Sequence, residues 1–370
     1  MAQDNFQTVR IPIEITLKIS SPFEITASSA PAGAMPGSGA LVDNFEASTE
    51  RMAKNEAPFD SDYGSRKGYN PDFIGGGSPS FRIALPVLSP ALGQEATKLI
   101  GSNDYELKYH NYSVVMHRKR RFAIYSAANI NYSGRFAMNR PRDVWRIDPR
   151  IPKEAQVGEF YYVSNKFDRG HLTRREDLEY GSTPQVALAS AGDTNHFTNC
   201  TPQHERFNEN RQIWQGIEFH VLEDSVLNGH FNAQIITGPI FDDSDPDYRN
   251  IKYPLQYWKI VAAKNSAGKL FATAFLASQK DVISQYGIKA PVVEPFGPFK
   301  NYQIKISEIE RLTGLKFMYG AKNTTLSKRD PLEQAKPRIQ RAIAPAEAAS
   351  AVQLPPGYIE LRSLDDIVLG

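Results

Sequence analysis

Phe167-Asp-Arg-Gly-His171-Leu-Thr-Arg-Arg175 is the stretch on which the reading of this chain turns, because it sets a histidine among an acid and several arginines. Two more stretches of the same kind follow closely: His196-Phe-Thr-Asn-Cys-Thr-Pro-Gln203 and Phe207-Asn-Glu-Asn210-Arg-Gln-Ile-Trp214-Gln-Gly-Ile-Glu218. Asn210, Trp214 and Glu218 are spaced i, i+4, i+8 and share one face if their segment is helical. Asn210 and Glu218 then stand two turns apart, with Trp214 between them as a packing anchor. A neutral amide oxygen completed by waters is a reasonable partial shell for Mg²⁺, which keeps most of its hydration.

The chain around these stretches reads as an ordinary globular protein. Its 370 residues suffice for one large domain or two modest ones, and 41% hydrophobic with 23% charged residues excludes a disordered or fibrous chain. The net charge of +2 announces no nucleic-acid binder, but the distribution is uneven. Ten Lys/Arg lie between Lys108 and Arg150 against Asp143 and Asp148. Such an excess forms either a phosphate-facing surface or a solvated basic face, and the sequence leaves both open. Cys200 is the lone cysteine, so there is no internal disulfide and no cysteine-based zinc cage. It reads as a small buried residue. His196, Cys200, His204 and His220 match no standard zinc-finger spacing. The amino-terminal stretch lacks the charged start and apolar run of an export signal, and no run of about 18 apolar residues occurs. The expectation is a cytoplasmic protein with no membrane partner.

Val9 to Ile19 alternates apolar and polar residues with the period of a half-buried strand, and Pro12 on the other face favours an edge position. Ser21 to Gly39 reads as a linker, and Leu41 to Asn55 as a short helix. Residues 1–80 are too sparse in apolar residues to form an independent domain and are expected to dock as an extension. Tyr112 to Asn129 predicts two strands around the basic turn His117–Arg121. Further strands are expected at Ala233–Ile240, Gln256–Ala263, Phe271–Ala277 and Tyr302–Ile306, and a helix after Glu205. Another helix is expected at Ser307–Thr313, with Ser307 and Glu310 as a capping box and Gly314 closing the end. Strands and helices mix without regular alternation, which predicts an α+β fold. The main domain is taken as 81–325, followed by a flexible arm at 326–370 that ends in a more ordered-looking Tyr358–Leu369.

Hydrolysis of a phosphodiester needs a base to activate water, a cation on the oxygens and positive charge for the pentacovalent state. The three stretches hold candidates for all of these. They resemble the DNA/RNA non-specific endonucleases of the ββα-metal (His-Me finger) class. The resemblance rests on Asp168-Arg-Gly-His171, its extended form Arg169 to Asp177, Asn199-Cys-Thr-Pro-Gln203, and the Asn210, Trp214, Glu218 pattern. Landmarks at Trp145–Pro149, Thr237–Pro239, Tyr257–Lys259 and Glu308–Gly314 extend it over roughly Tyr105 to Gly320.

The resemblance implies a ββα-metal fold with a central antiparallel sheet flanked by helices. It implies that His171 is the general base, Asn210 the direct metal ligand, and Glu218 a holder of metal-bound water that assists leaving-oxygen protonation. Arg169 would contact phosphate, Asp168 would orient the site and Asn199 would fix the region beside His171. Arg142 is nearest to a family arginine but stands one residue out of register. Arg174, Arg175 and Arg211 are either surface or substrate-groove charges, and Asn208 is an alternative to Asn210. For His110, His117, His220 and His230 a structural role is expected.

The activity so implied is Mg²⁺-dependent cleavage, with Mn²⁺ as substitute, of DNA, and of RNA as a second candidate substrate, to 5′-phosphate ends without base readout. The competing reading is a catalytically inactive nucleic-acid-binding or scaffold module on the same fold. An unselective nuclease in the cytoplasm needs restraint, so a regulatory protein or protease partner is expected, with residues 1–80 and the tail as candidate restraints. In bacterial relatives such domains are joined to protease or signalling domains, and Lys67 to Gly75 looks like their lead-in, which suggests an anti-phage effector. A homodimer is also expected.

Overall fold

The computed structural model describes residues 59–138, 142–205, 232–265, 267–280, 283, 300–334, 358–361 and 368. All fall in the unit Lys54–Gly370. The expected edge strand at 9–19, the linker and helix before residue 56, and the 207–218 stretch with Asn208, Asn210, Arg211, Trp214 and Glu218 lie outside them, as do His220 and His230.

Among the described residues eight strands form one sheet, paired antiparallel throughout. Its strands are β1 (Leu107–Lys108), β2 (Tyr112–Met116), β3 (Ala123–Asn131), β6 (Asn232–Ile240), β7 (Gln256–Lys264), β8 (Leu270–Ser278), β9 (Lys300–Ile304) and β10 (Tyr358–Glu360). Between β3 and β6 the chain leaves the sheet for a separate two-stranded ribbon, β4 (Phe167–His171) with β5 (Cys200–His204), and the helix α1 (Pro184–Asp193). The spatial order is β10-β9-β8-β7-β6-β3-β2-β1. The α+β fold expected from the sequence is the fold observed.

The central strands are apolar at nearly every position because the sheet is covered on both faces. Along β7, Tyr257, Val261 and Ala263 enter one core, while Trp258, Ile260 and Ala262 enter the other. Along β8, Phe271, Phe275 and Ala277 divide in the same way from Leu270, Ala272, Ala274 and Leu276. The fully buried Trp258 lies opposite Gly238, where a Cβ would stand 2.9 Å from its ring and 2.4 Å from the Ile124 carbonyl oxygen. A third cluster, with Phe122, Tyr161, Tyr162, Phe167, Phe197 and Cys200, packs under the β4–β5 ribbon.

Two expectations are corrected. The helix α2 (Ile306–Thr313) carries no capping box, because Lys305 occupies the N-cap without a side-chain bond. Asp330 supplies the missing acceptor, taking the Ile306 N–H at 2.8 Å, while Ser307 bonds Glu333 and Glu310 accepts from the Phe317 N–H. A tertiary carboxylate has replaced a local one. Gly314, at φ 73°, closes the other end as expected. Nor is 326–370 an arm throughout. Leu326 and Leu332 are buried, and β10 pairs with β9 and carries Ile359 into the core. An Ala/Pro/Gln-rich average hid these scattered apolar residues.

Burial raises the Asp330 carboxyl to about 7, although the Ile306 and Leu332 N–H groups oppose the shift. Its folded pKa thus lies above the unfolded value of about 4, so its contribution is complete below about pH 4 and lost as pH rises through about 7. Wild-type urea midpoints should therefore fall between pH 5 and pH 8 more steeply than those of Asp330→Asn. Parallel curves for the two proteins would contradict this.

Candidate active site

Strand pairing builds the site. In the β4–β5 ribbon, Asp168 faces Gln203, Gly170 faces Thr201 and His171 faces Cys200. A Cβ on Gly170 would stand 2.2 to 2.5 Å from the Gln203 side chain, so only glycine leaves room for it. The two sequence stretches are therefore one steric unit. Gln279 and Tyr257 tie the ribbon to the main sheet: Tyr257 Oη donates to the Pro202 carbonyl at 2.7 Å, and Gln279 accepts the His204 N–H at 2.8 Å.

Alternation along β4 puts Phe167, Arg169 and His171 on one face, Phe167 within the third cluster and Arg169 and His171 against Trp145, which packs on that cluster. The Trp145 ring lies 4.8 Å from the His171 ring and 5.4 Å from the Arg169 guanidinium. Arg169 also grips the exposed carboxylate of Glu159 with one nitrogen, at 2.7 and 2.9 Å. His171 Nε2 lies 3.1 Å from Asn195 Oδ1, and Asn195 Nδ2 donates to Asp143 Oδ1 at 3.3 Å. With its amide nitrogen committed to Asp143, Asn195 presents oxygen to the ring, so the ring nitrogen it faces carries the proton. The lone pair of a neutral His171 then sits on the other ring nitrogen, the state a general base requires.

Asn199 is fully buried, and each end of its amide is used twice. Its oxygen accepts from the Thr173 N–H and Ser126 Oγ, both at 3.0 Å, and its nitrogen donates to the Thr173 and Thr194 carbonyls. It brackets the backbone just after His171, with both ends of its amide engaged within the fold. Arg175 is not a groove residue. It is 2% exposed, pairs with Glu179 at 2.9 Å and lies 3.8 Å from Asp143, behind Asn195. Arg174 lies 3.7 Å from both Glu176 and Asp177, and Arg142 is exposed. Asp168 is half-buried, across the strand from Gln203.

Sequence reasoning missed Asn195 and Asp143 and took Trp145 only as a landmark. The basic segment, which the sequence leaves open between a phosphate-facing surface and a solvated face, is in part turned to internal ion pairs. Arg120 is paired with Asp245, Arg150 with Asp148, Lys119 with Glu95 and Arg135 with Glu179, so much of its charge is neutralised within the fold. His117 is half-buried, and burial lowers it to about 4, in keeping with a structural role.

Among the described residues no group of three or more His, Cys, Asp or Glu is placed to hold a metal ion. The donors near His171 are amide and carboxylate oxygens, which suit a hard, hydrated cation. The buried Cys200 thiol is pushed up to about 12 by burial and offers no thiolate. Among the described residues no helix is long and apolar enough to cross a membrane.

The family model for the DNA/RNA non-specific endonucleases matches residues 91–324. An uncharacterized protein of Sinorhizobium fredii, y4fB, is 33% identical over 271 residues, which are 69% of this chain but only 39% of that relative's length. Nuclease C1 of Cunninghamella echinulata var. echinulata is 22% identical over 226 residues, 57% of this chain and 81% of its own. Among solved structures, a complex of EndoG with EndoGI aligns at a TM-score of 0.43 and 18% identity, covering 58% of this chain and 85% of that one.

If Gly170 is there to admit Gln203, Gly170→Ala should abolish the function of the site, and the double variant Gly170→Ala/Gln203→Ala should recover part of it. Nucleic-acid cleavage and a thermal melt report both. A double variant no better than Gly170→Ala rules out this steric account.

Proposed function

The chain belongs to the DNA/RNA non-specific endonuclease family, and on that footing we propose that it is a divalent-metal-dependent endonuclease whose general base is His171. The observation that carries the reading is the His171 ring on the Trp145 platform, backed by Asn195 and Asp143 and flanked by Arg169. A base oriented by an amide, beside an arginine, matches the demands of attack by water on phosphate.

His171 takes a proton from the attacking water through its unprotonated nitrogen. Asn195, held by Asp143, keeps the ring in that tautomer and stabilises the imidazolium that forms. Arg169 exchanges the Glu159 carboxylate for a phosphate oxygen, a trade of similar geometry. Asp168 orients the site, and Asn210 is the direct metal ligand. Glu218 assists protonation of the leaving 3′ oxygen, which leaves 5′-phosphate ends. Bound Mg²⁺, or Mn²⁺ in its place, supplies charge neutralisation at the leaving oxygen. Arg142, Arg174 and Arg211 are the remaining candidates for contact with the backbone of DNA, and of RNA as a second substrate. A cytoplasmic role as a restrained anti-phage effector, under a regulatory protein or protease and as a homodimer, is the setting that accords with such an activity.

Purified protein with Mg²⁺ should degrade plasmid of any sequence. His171→Ala should lower kcat on the order of 10² to 10⁴-fold, the usual contribution of a general base. Binding should weaken steeply from 50 to 200 mM salt, as expected of phosphate contacts. A wild type that leaves DNA and RNA intact, indistinguishable from His171→Ala, sinks the proposal. Retained binding without cleavage under any divalent metal supports the inactive-module reading instead.

A further inference from the structure

The segment ahead of the family match reaches into the site from behind. Arg66 has a fully buried side chain and grips Asp193 with two nitrogens, Nε to Oδ2 and Nη2 to Oδ1, both at 2.8 Å. Its remaining donors take the Asp60 and Asp62 carbonyls, and its guanidinium lies 4.1 Å over the Tyr63 ring. His110 Nδ1 reaches the same Asp193 carboxylate at 2.6 Å. Burial works to raise that carboxyl, but the bonds from His110 and Arg66 outweigh it and hold Asp193 well below the usual range.

Next to Asp193 the neutral His196 is locked at both nitrogens. Its Nδ1 donates to the Asp193 carbonyl at 2.7 Å, and its Nε2 accepts the Tyr63 hydroxyl at 2.9 Å. Burial pushes the Tyr63 hydroxyl up to about 12, so it remains a donor. Between Asp193 and His196 stands Asn195, the residue facing the His171 ring, and three residues beyond His196 stands Asn199, which brackets the backbone after it. Arg66 and Tyr63 thus grip the loop at Asp193 and His196, which bracket Thr194 and Asn195.

We propose that Arg66 and Tyr63 are positioning residues for catalysis, fixing the Asp193–Asn199 loop and, through Asn195, the His171 ring. The proposal rests on the nuclease reading of His171. It makes residues 59–83 part of the working site, not a restraint to be removed: Tyr69, Ile74 and Ile83 are buried in the main core, and Tyr69 Oη donates to the Ile83 carbonyl. Proteolytic activation that removed Arg66 would disarm the enzyme.

The test uses the full chain with Arg66→Ala, Arg66→Lys and Tyr63→Phe, the last removing one hydroxyl and leaving the buried ion pair intact. Two readouts are needed: the ¹H–¹⁵N correlation of the His171 ring, assigned with His171→Ala, and steady-state cleavage. Arg66→Ala should shift or broaden the His171 signal and lower kcat on the order of 10²-fold, the effect of a small misplacement, with KM within about twofold. Tyr63→Phe should show the same pattern more weakly, and Arg66→Lys should recover part of kcat. An unchanged His171 signal in Tyr63→Phe and in folded Arg66→Ala overturns the proposal, as does a rise in KM with kcat unchanged. If the wild type cleaves nothing, the nuclease reading fails, and the ring signal still decides whether the loop is held this way.

Discussion

A general base has to stand at the surface, where water and phosphate reach it, yet be held as firmly as a core residue. With His171 as the proposed base, that constraint accounts for how this part of the molecule is built. His171 is half-buried at the end of β4, and every residue from Ser190 to His204 behind it is buried. The loop is short of apolar side chains, so burial alone cannot hold it. Asp193, Thr194, Asn195, His196, Thr198 and Asn199 are all buried polar residues, and each buried polar group has to be answered by a partner. The partners come from distant parts of the chain: Arg66 and Tyr63 from the front segment, Tyr109 and His110 from the edge of the sheet, Asp143 from the approach to Trp145, and Thr173 from just beyond His171.

The same economy governs the charge. A run rich in Lys and Arg suggests an open phosphate-binding surface, but here several of its members close the fold. Arg150 is held by the buried Asp148, which the Tyr109 hydroxyl also contacts at 2.5 Å, and stacks over Tyr63 and Tyr109. Beside the proposed base, Arg169 is the arginine whose partner, Glu159, is exposed enough to be displaced. Exposed pairs contribute about 0 to 1 kcal/mol, so a phosphate can compete for Arg169 where it could not for Arg175.

How much of this is legible in the chain depends on the range of the interaction. The β-strands follow from runs of apolar residues: the predicted Gln256–Ala263 stops one residue short of the observed strand, and Phe271–Ala277 is one residue short at each end. Asp168 to His171 announces itself because pairing and sterics compress its requirements into neighbouring positions. Asn195 does not, because nothing local distinguishes it: its meaning comes from His171, 24 positions back, and Asp143, 52 back. Arg175 misleads for the complementary reason, since a motif arginine looks alike whether it meets substrate or braces Asp143. The capping box failed where distant carboxylates, Asp330 and Glu333, took the Ile306 and Ser307 N–H groups and Glu310 turned to Phe317.

The Arg66–Asp193 pair shows why such long-range contacts are worth their cost. Bringing two charges into the interior carries a desolvation penalty that their attraction repays only with good geometry, and replacing a buried pair by apolar residues often stabilises a protein. Stability alone is therefore a poor reason for it. An apolar contact, however, is non-directional and tolerates sliding, whereas a two-point guanidinium–carboxylate bond fixes distance and plane together. At the root of a loop whose next residue but one faces the His171 ring, that directional precision is what a hydrophobic contact could not provide.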